Sequence, residues 1–303
     1  MTPSTHSNHH LRGIFLVLAA VFVFASMDTT SKFLVTRYAV PLVMTARYLV
    51  NLILVVAVFA PRNGRALFAI NRKGLVWLRA FSLAFASLFA GLALKAMPVA
   101  ETVAIIYLAP FGVLLLSGPM LGEKVRLAGW LATALGFAGL LFIVRPGGGL
   151  SLTGITFALL CAAVTVIYHS LSRLLAKTET TAALLFYTAL AGTIFFCAML
   201  PWNWQMPTPN TRDVVLFLAL GAFSLLGHFL FTAAYREAPA SLLTPVNYMH
   251  LAWAALLGWL VFDHIPDVLS MIGISLVAAA GAGNALWNHF SKSSAAAIEP
   301  EEV

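Results

Sequence analysis

Long apolar runs separated by short polar breaks fill this chain, falling at about 12–34, 41–60, 74–95, 98–118, 127–144, 151–173, 181–200, 214–235, 240–262 and 268–288. Most approach the ~20 residues that a helix needs to cross the apolar slab of a bilayer. None alternates apolar and polar positions as a barrel strand would. A backbone inside lipid must satisfy its own polar groups, so the runs predict ten helices. The longest connections, 62–73 and 201–213, are too small to fold alone. A composition of 61% hydrophobic and 10% charged residues lies far outside the range of soluble chains, and the bilayer is therefore the solvent to reason with.

Laid over itself at an offset of 141 residues, with no gap, the chain repeats. Gly13 falls on Gly154, Ser31 on Ser172, Lys32 on Arg173, Lys95 on Arg236, Pro98 on Pro239 and Tyr107 on Tyr248. This predicts two five-helix units, 1–148 and 149–290, and a cytoplasmic tail, 291–303. An odd number of spans per unit makes the second enter the bilayer from the opposite side, so the expected fold is an all-α membrane protein of ten transmembrane helices in two inverted-topology repeats. Such repeats build many membrane transporters, with the substrate site near mid-membrane between the copies.

The pI of about 9.7 invites a nucleic-acid partner, but the basic residues sit at the ends of apolar runs and not on one face. Assigned alternately to two sides, one side receives Arg12, Arg62, Arg65, Arg72, Lys73, Lys124, Arg126, Arg173, Lys177, Arg236 and Lys292. The other receives Lys32, Arg37, Lys95, Arg145 and Arg212. The positive-inside tendency makes the first side cytoplasmic, with both termini inside. The leader Met1 to Arg12, with His6, His9 and His10, reads as a polar tail and not a cleaved signal. Cys161 and Cys197 lie within apolar runs and read as buried thiols.

Proline marks helix starts at Pro41, Pro98 and Pro239. Pro110 and Pro245 lie inside the fourth and ninth spans, where each either loosens the helix beside a cavity or is a tolerated kink. The fifth span (Ala128, Gly129, Ala132, Gly136, Gly139) and the tenth (Gly273, Ala279, Ala280, Gly281, Gly283) carry small residues at three- and four-residue spacing. Such faces allow close helix packing, within the chain or in a homodimer.

Polar groups inside a membrane are costly enough that each needs a reason. Asp28, Arg47, Lys95 and Glu101 cluster toward the outer ends of their spans. They read as an ion-pair gate, or as basic side chains reaching for headgroups beside neutralising acids. Deeper lie Ser87, Tyr107, Tyr168, His169, Tyr187, His228, Asn247, Tyr248, His250 and Trp253. Of these, Tyr107, Tyr248, His228, Ser87, Asn247 and Trp253 are the expected cavity lining, suited to a small amphipathic or aromatic solute. His228 or His169 offers a route to proton coupling. No carboxylate stands at mid-span, and Arg79 and Arg47 lie toward opposite ends, so no basic residue is expected at the cavity centre, as a phosphate-bearing cargo would require. Nucleophile elbows, phosphate-cradling loops and helical metal motifs are absent, so neither an enzyme nor a cofactor is expected.

The segment Leu94 to Pro146, with Lys95, Ala96, Pro98, Tyr107, Pro110 and Leu121-Gly122-Glu123 before a glycine-rich span, resembles the EamA-type repeat of the drug/metabolite transporter superfamily. The second half repeats it more loosely: Tyr235 to Pro239 matches, while Phe262-Asp263-His264 replaces the Gly-Glu pair. The resemblance implies ten helices in two inverted halves, cytoplasmic termini, and a central cavity lined by helices one, three, four, six, eight and nine. Within that superfamily the chain is similar to YddG-like exporters of aromatic amino acids. The expected function is thus export of aromatic and other neutral amino acids and related metabolites across the inner membrane. A multidrug exporter of cationic toxins and a non-transporting membrane enzyme or scaffold are the alternatives.

Overall fold

A computed structural model describes residues 3–113, 127–145, 149–176, 178–203, 208–238, 243 and 246–296. Ten α-helices run through them: α1 (Pro3–Val35), α2 (Val40–Asn63), α3 (Lys73–Ala96), α4 (Val99–Ile106), α5 (Leu127–Val144), α6 (Leu152–Leu175), α7 (Thr181–Met199), α8 (Thr211–Glu237), α9 (Met249–Phe262) and α10 (Val268–Ala296). No strand occurs among the described residues. Six helices, α1, α2, α3, α6, α7 and α8, are long and apolar enough to cross a membrane, and the other four are shorter apolar helices. The segment Leu121-Gly122-Glu123 and the residues Lys124, Arg126, Lys177, Pro239, Pro245, Glu299, Glu301 and Glu302 lie outside the described residues.

Local chemistry sets the helix boundaries. Pro41 occupies the first turn of α2, where a missing N–H costs nothing, and Pro98 precedes α4 in an extended conformation. Ser151, Thr180 and Asn210 each accept a backbone N–H three residues on, from Gly154, Ala183 and Asp213, which satisfies a donor that the first helical turn leaves orphaned. Two ends differ from expectation. The polar leader is helical from Pro3, and α10 runs on to Ala296.

The most extensive helix pairings map onto themselves when each helix is exchanged for the one five places away. α1 packs on α8 as α6 packs on α3; α2 on α8 as α7 on α3; α1 on α9 as α6 on α4; and α2–α7, α4–α9 and α5–α10 pair across the centre. Single contacts obey the same rule. A Cβ built on Gly13 would stand 2.7 Å from Ala238 Cβ, and one built on Gly154 would collide with Met97; Met97 and Ala238 are themselves 141 residues apart. The small-residue helices α5 and α10 pack on each other, with Gly139 and Gly273 so close that each added Cβ would meet the other's carbonyl oxygen at 2.7 and 2.6 Å. Arg145 at the end of α5 closes this pair with a 2.6 Å contact to Asp267. The Ser270 N–H and then Arg145 hold the Asp267 carboxyl below the usual carboxylate range.

Two polar ties join the halves at the helix ends. Between α1 and α2, the Tyr38 hydroxyl donates to Asp213 Oδ2 at 2.7 Å and Arg37 stands 3.5 Å from Oδ1, at the start of α8. Between α6 and α7, the Glu179 carboxylate accepts the backbone N–H groups of Asn71 and Arg72, each at 2.9 Å, at the start of α3. Tyr38 and Glu179 are repeat partners, as are Arg72 and Asp213. One position is thus bridged twice with different chemistry.

Candidate functional site

The fourth and ninth helices are each interrupted at the tyrosine that the repeat pairs. Tyr107 ends α4 with φ −68° and ψ 1°, and Tyr248 precedes α9 with φ −68° and ψ −11°. After Tyr107 the chain tightens to a three-residue turn, Leu108 N to Ile105 O at 3.1 Å, before helix resumes over 109–113. Pro110 carries no N–H, so the Ile106 carbonyl loses its helical donor. The two rings meet edge to face, centroids 5.4 Å apart. Interrupted helices at corresponding places in two repeats are where transporters of repeat architecture build their sites.

Two cavities meet at this break, sharing Ile106, Tyr107 and Thr165 in their walls. The larger, about 370 Å³, is lined by Phe24, Tyr107, Tyr168, His169, His228 and Phe231, with Arg79, Ser172, Thr232 and Asn247. We refer to it as the aromatic lobe. The smaller, about 150 Å³, is lined by Asp28, Arg47, Ser87, Tyr107, Cys161 and His250 with apolar neighbours, and forms a charged lobe. Offset by 141 residues, the walls of one become the walls of the other: Asp28 corresponds to His169, Met27 to Tyr168, Ser87 to His228, Ala90 to Phe231, Thr165 to Phe24 and His250 to Ala109. The lobes are one location in two copies, charged in one and ring-lined in the other. A larger groove of about 630 Å³ between α9 and α10 has almost wholly apolar walls, including the exposed Leu256, Trp259 and Met271. It suits acyl chains better than a polar solute.

In the charged lobe, Tyr107 Oη lies 2.9 Å from His250 Nδ1 and also donates to the Asn247 carbonyl at 3.2 Å. His250 Nε2 lies 3.2 Å from Asp28 Oδ2, yet the angle is too poor for a hydrogen bond and the buried nitrogen has no other partner. Ser87 Oγ is 2.7 Å from Tyr48 Oη. In the aromatic lobe, Arg79 Nε donates to Ser172 Oγ at 2.7 Å, and its terminal nitrogens donate to Thr188 Oγ1 and Tyr168 Oη, both at 2.9 Å. Its guanidinium lies over the Tyr168 ring. His228 meets Phe24 edge to face at 5.2 Å.

Tyr107, Tyr248, His228, Ser87 and Asn247 therefore gather around the break and its lobes. Trp253 does not: it packs on Phe22 at 5.1 Å beside a satellite cluster containing Val17 and Val21. The four charged residues expected near the outer ends do not pair with one another. Asp28 faces His250, the buried Glu101 holds His264 at 3.0 Å, Lys95 is exposed, and Arg47 has no carboxylate within 4 Å among the described residues. The basic side chains do not share one behaviour either, since Lys32 donates to the Met97 carbonyl at 2.8 Å and Arg47 is buried. Arg47 and Arg79, which the sequence puts toward opposite ends of their spans, each line one lobe. His250 and Phe24 join the site as well. The offset, applied to every polar and aromatic position together, would have found most of this wall.

A bundle of apolar helices around a buried polar cavity, split at paired helix breaks, is the architecture of a membrane solute carrier. Residues 11–145 and 152–283 each match the model of the EamA-like transporter family, and the chain belongs to that family, within the drug/metabolite transporter superfamily. It is a multi-pass membrane transporter. It is 31% identical over 192 residues to a riboflavin transporter of Rhizobium johnstonii, covering 62% of each chain. It is 28% identical over 272 residues to a riboflavin transporter of Brucella anthropi, covering 87% of this chain and 95% of that one. A 194-residue match at 29% identity to the pseudopaline exporter of Pseudomonas aeruginosa covers 62% of this chain and 66% of that one. A crystal structure shares the fold, with a TM-score of 0.65 at 21% identity over 94% of this chain and 99% of that one.

Proposed function

We propose that this protein carries small planar heteroaromatic metabolites of the flavin kind across the inner membrane, through the cavity at the Tyr107–Tyr248 break. In this reading ten helices span the bilayer in two inverted repeats with both termini in the cytoplasm, and the two lobes open alternately. The observation that carries it is the aromatic lobe: six ring-bearing side chains around about 370 Å³, within the size range of small-molecule sites, with hydrogen-bonding groups at Arg79, Ser172 and Asn247. Similarity to a riboflavin transporter over 95% of that protein's length supports the cargo class. Riboflavin entrapped in liposomes containing the purified protein leaves faster than from protein-free liposomes, and equal rates would dismiss the cargo.

Export of aromatic and other neutral amino acids is a second reading, favoured by Arg47 and Asp28 in one lobe, an acid and a base with room for a zwitterion. Liposomes loaded with Phe, Trp or Thr test it in the same assay. An exporter of cationic toxins would instead lean on Asp28 alone, and resistance to a cationic dye that Asp28→Asn abolishes would favour it.

A further inference from the structure

We infer that the charged lobe seats a carboxylate of the cargo, gripped by Arg47. This rests on the reading of the two lobes as the cargo path and narrows the heteroaromatic class to members that carry an acid, which riboflavin itself does not. Arg47 is only 9% exposed, yet its guanidinium is almost unused. Among the described residues, buried Nε has no hydrogen-bond partner, the one hydrogen bond of a terminal nitrogen is a long one to the Met44 thioether at 4.0 Å, and the group stands 5.5 Å from the Tyr48 ring centroid. Arg79 shows the contrast, with three of its nitrogens donating to Ser172, Thr188 and Tyr168.

A guanidinium presents five N–H donors in a rigid fork that fits a carboxylate with two parallel hydrogen bonds. Leaving such a charge unpaired among apolar helices is costly, and intramembrane charges that persist in that state mark pathways. The lobe is sized for a head group and not for a whole metabolite, at about 150 Å³. Its wall also selects the kind of anion. Asp28 shares the lobe with Arg47, so a singly charged carboxylate is tolerated where a phosphate dianion would be repelled. An amine beside the carboxylate would meet Asp28. Tyr107 stands in both lobes, so a ring attached to the acid passes directly to Phe24, Tyr168 and His228.

The test compares ligands that differ only in the acid, bound to the purified full chain at neutral pH. One pair is 10-carboxymethylflavin and lumiflavin; the other is indole-3-propionate and its amide. In each pair the acid is expected to bind at least tenfold more tightly. Arg47→Gln should remove the difference by weakening the acid far more than its neutral partner, and Arg47→Lys should keep part of it. Equal affinity for acid and neutral partner in the unaltered protein overturns the inference whatever the variants do, as does failure to bind either acid. If neither flavin binds while the indole pair still differs, the flavin reading falls and the carboxylate seat stands. If riboflavin is transported but neither pair discriminates, the outcome is the reverse.

Discussion

Tyr107 and Tyr248 occupy the same place in two copies of one unit, and their rings touch at 5.4 Å where each copy breaks its helix. The phenol of Tyr107 also reaches His250 Nδ1 at 2.9 Å, so one side chain holds the break together and forms the wall between the lobes. Tyr107→Phe keeps the ring and removes that hydrogen bond. Leaving a buried polar partner unsatisfied costs about 1–3 kcal/mol, so the melting temperature is expected to fall by roughly several degrees and flux in liposomes by roughly tenfold or more. Undiminished flux would take the hydroxyl out of the path.

His228 and Ser87 are repeat partners with unlike surroundings, and their truncation should differ accordingly. His228→Ala removes a ring from the aromatic lobe, where ring pairs contribute about 0.5–1.5 kcal/mol, so affinity for an aromatic cargo should fall by roughly two- to tenfold. Ser87→Ala removes a hydroxyl whose partner is Tyr48, and aromatic cargo should bind nearly as before. Binding isotherms for the two variants check the order.

The α5–α10 contact predicts a stability effect without a flux mechanism. Gly139→Ala or Gly273→Ala pushes a methyl group against the opposite backbone carbonyl, and overpacking of this kind costs about 1–3 kcal/mol. Gly283→Ala, where nothing stands within 4 Å of the added carbon, is the neutral control. Melting curves of the three variants in detergent should separate the first two from the third.

Glu179 predicts a dependence on acid. Burial alone would raise its carboxyl, but the Asn71 and Arg72 backbone amides and the Thr178 hydroxyl outweigh it, and the net shift is downward. A lowered folded pKa means stability that is complete above the ordinary glutamate value of about 4.3 and lost as pH falls through the folded value. Glu179→Gln should therefore melt below the unaltered protein at neutral pH, with the gap closing on acidification. A gap that persists in acid would show that the carboxylate charge is not what joins Asn71 to Glu179.

The helices were legible because the solvent is lipid: runs near twenty apolar residues leave a backbone little choice, and boundaries such as Val40–Asn63 and Leu127–Val144 follow the apolar pattern within a few residues. The repeat was legible for the same reason that it matters, since Gly13 and Gly154 make equivalent contacts. The site was only half legible. Position along a span said that Tyr107 and Tyr248 were deep, but it could not say which way a side chain faces, and Trp253 turned out to pack on Phe22. Nor could it show that Asp28 and Arg47, some way from mid-span, line a cavity, because the depth of that cavity follows from helix breaks that a hydropathy pattern smooths over.

If the charged and ring-lined lobes open to opposite faces as proposed, half-saturation is expected at different concentrations from the two sides. If transport is uncoupled, detailed balance still requires the ratio of maximal rate to half-saturating concentration to match in the two directions. The side that fills at lower concentration must then be the slower to turn over. In that reading, whichever way the gradient of cargo points, the divergence of Asp28 from His169 and of Ser87 from His228 sets the concentration at which each direction runs out of speed.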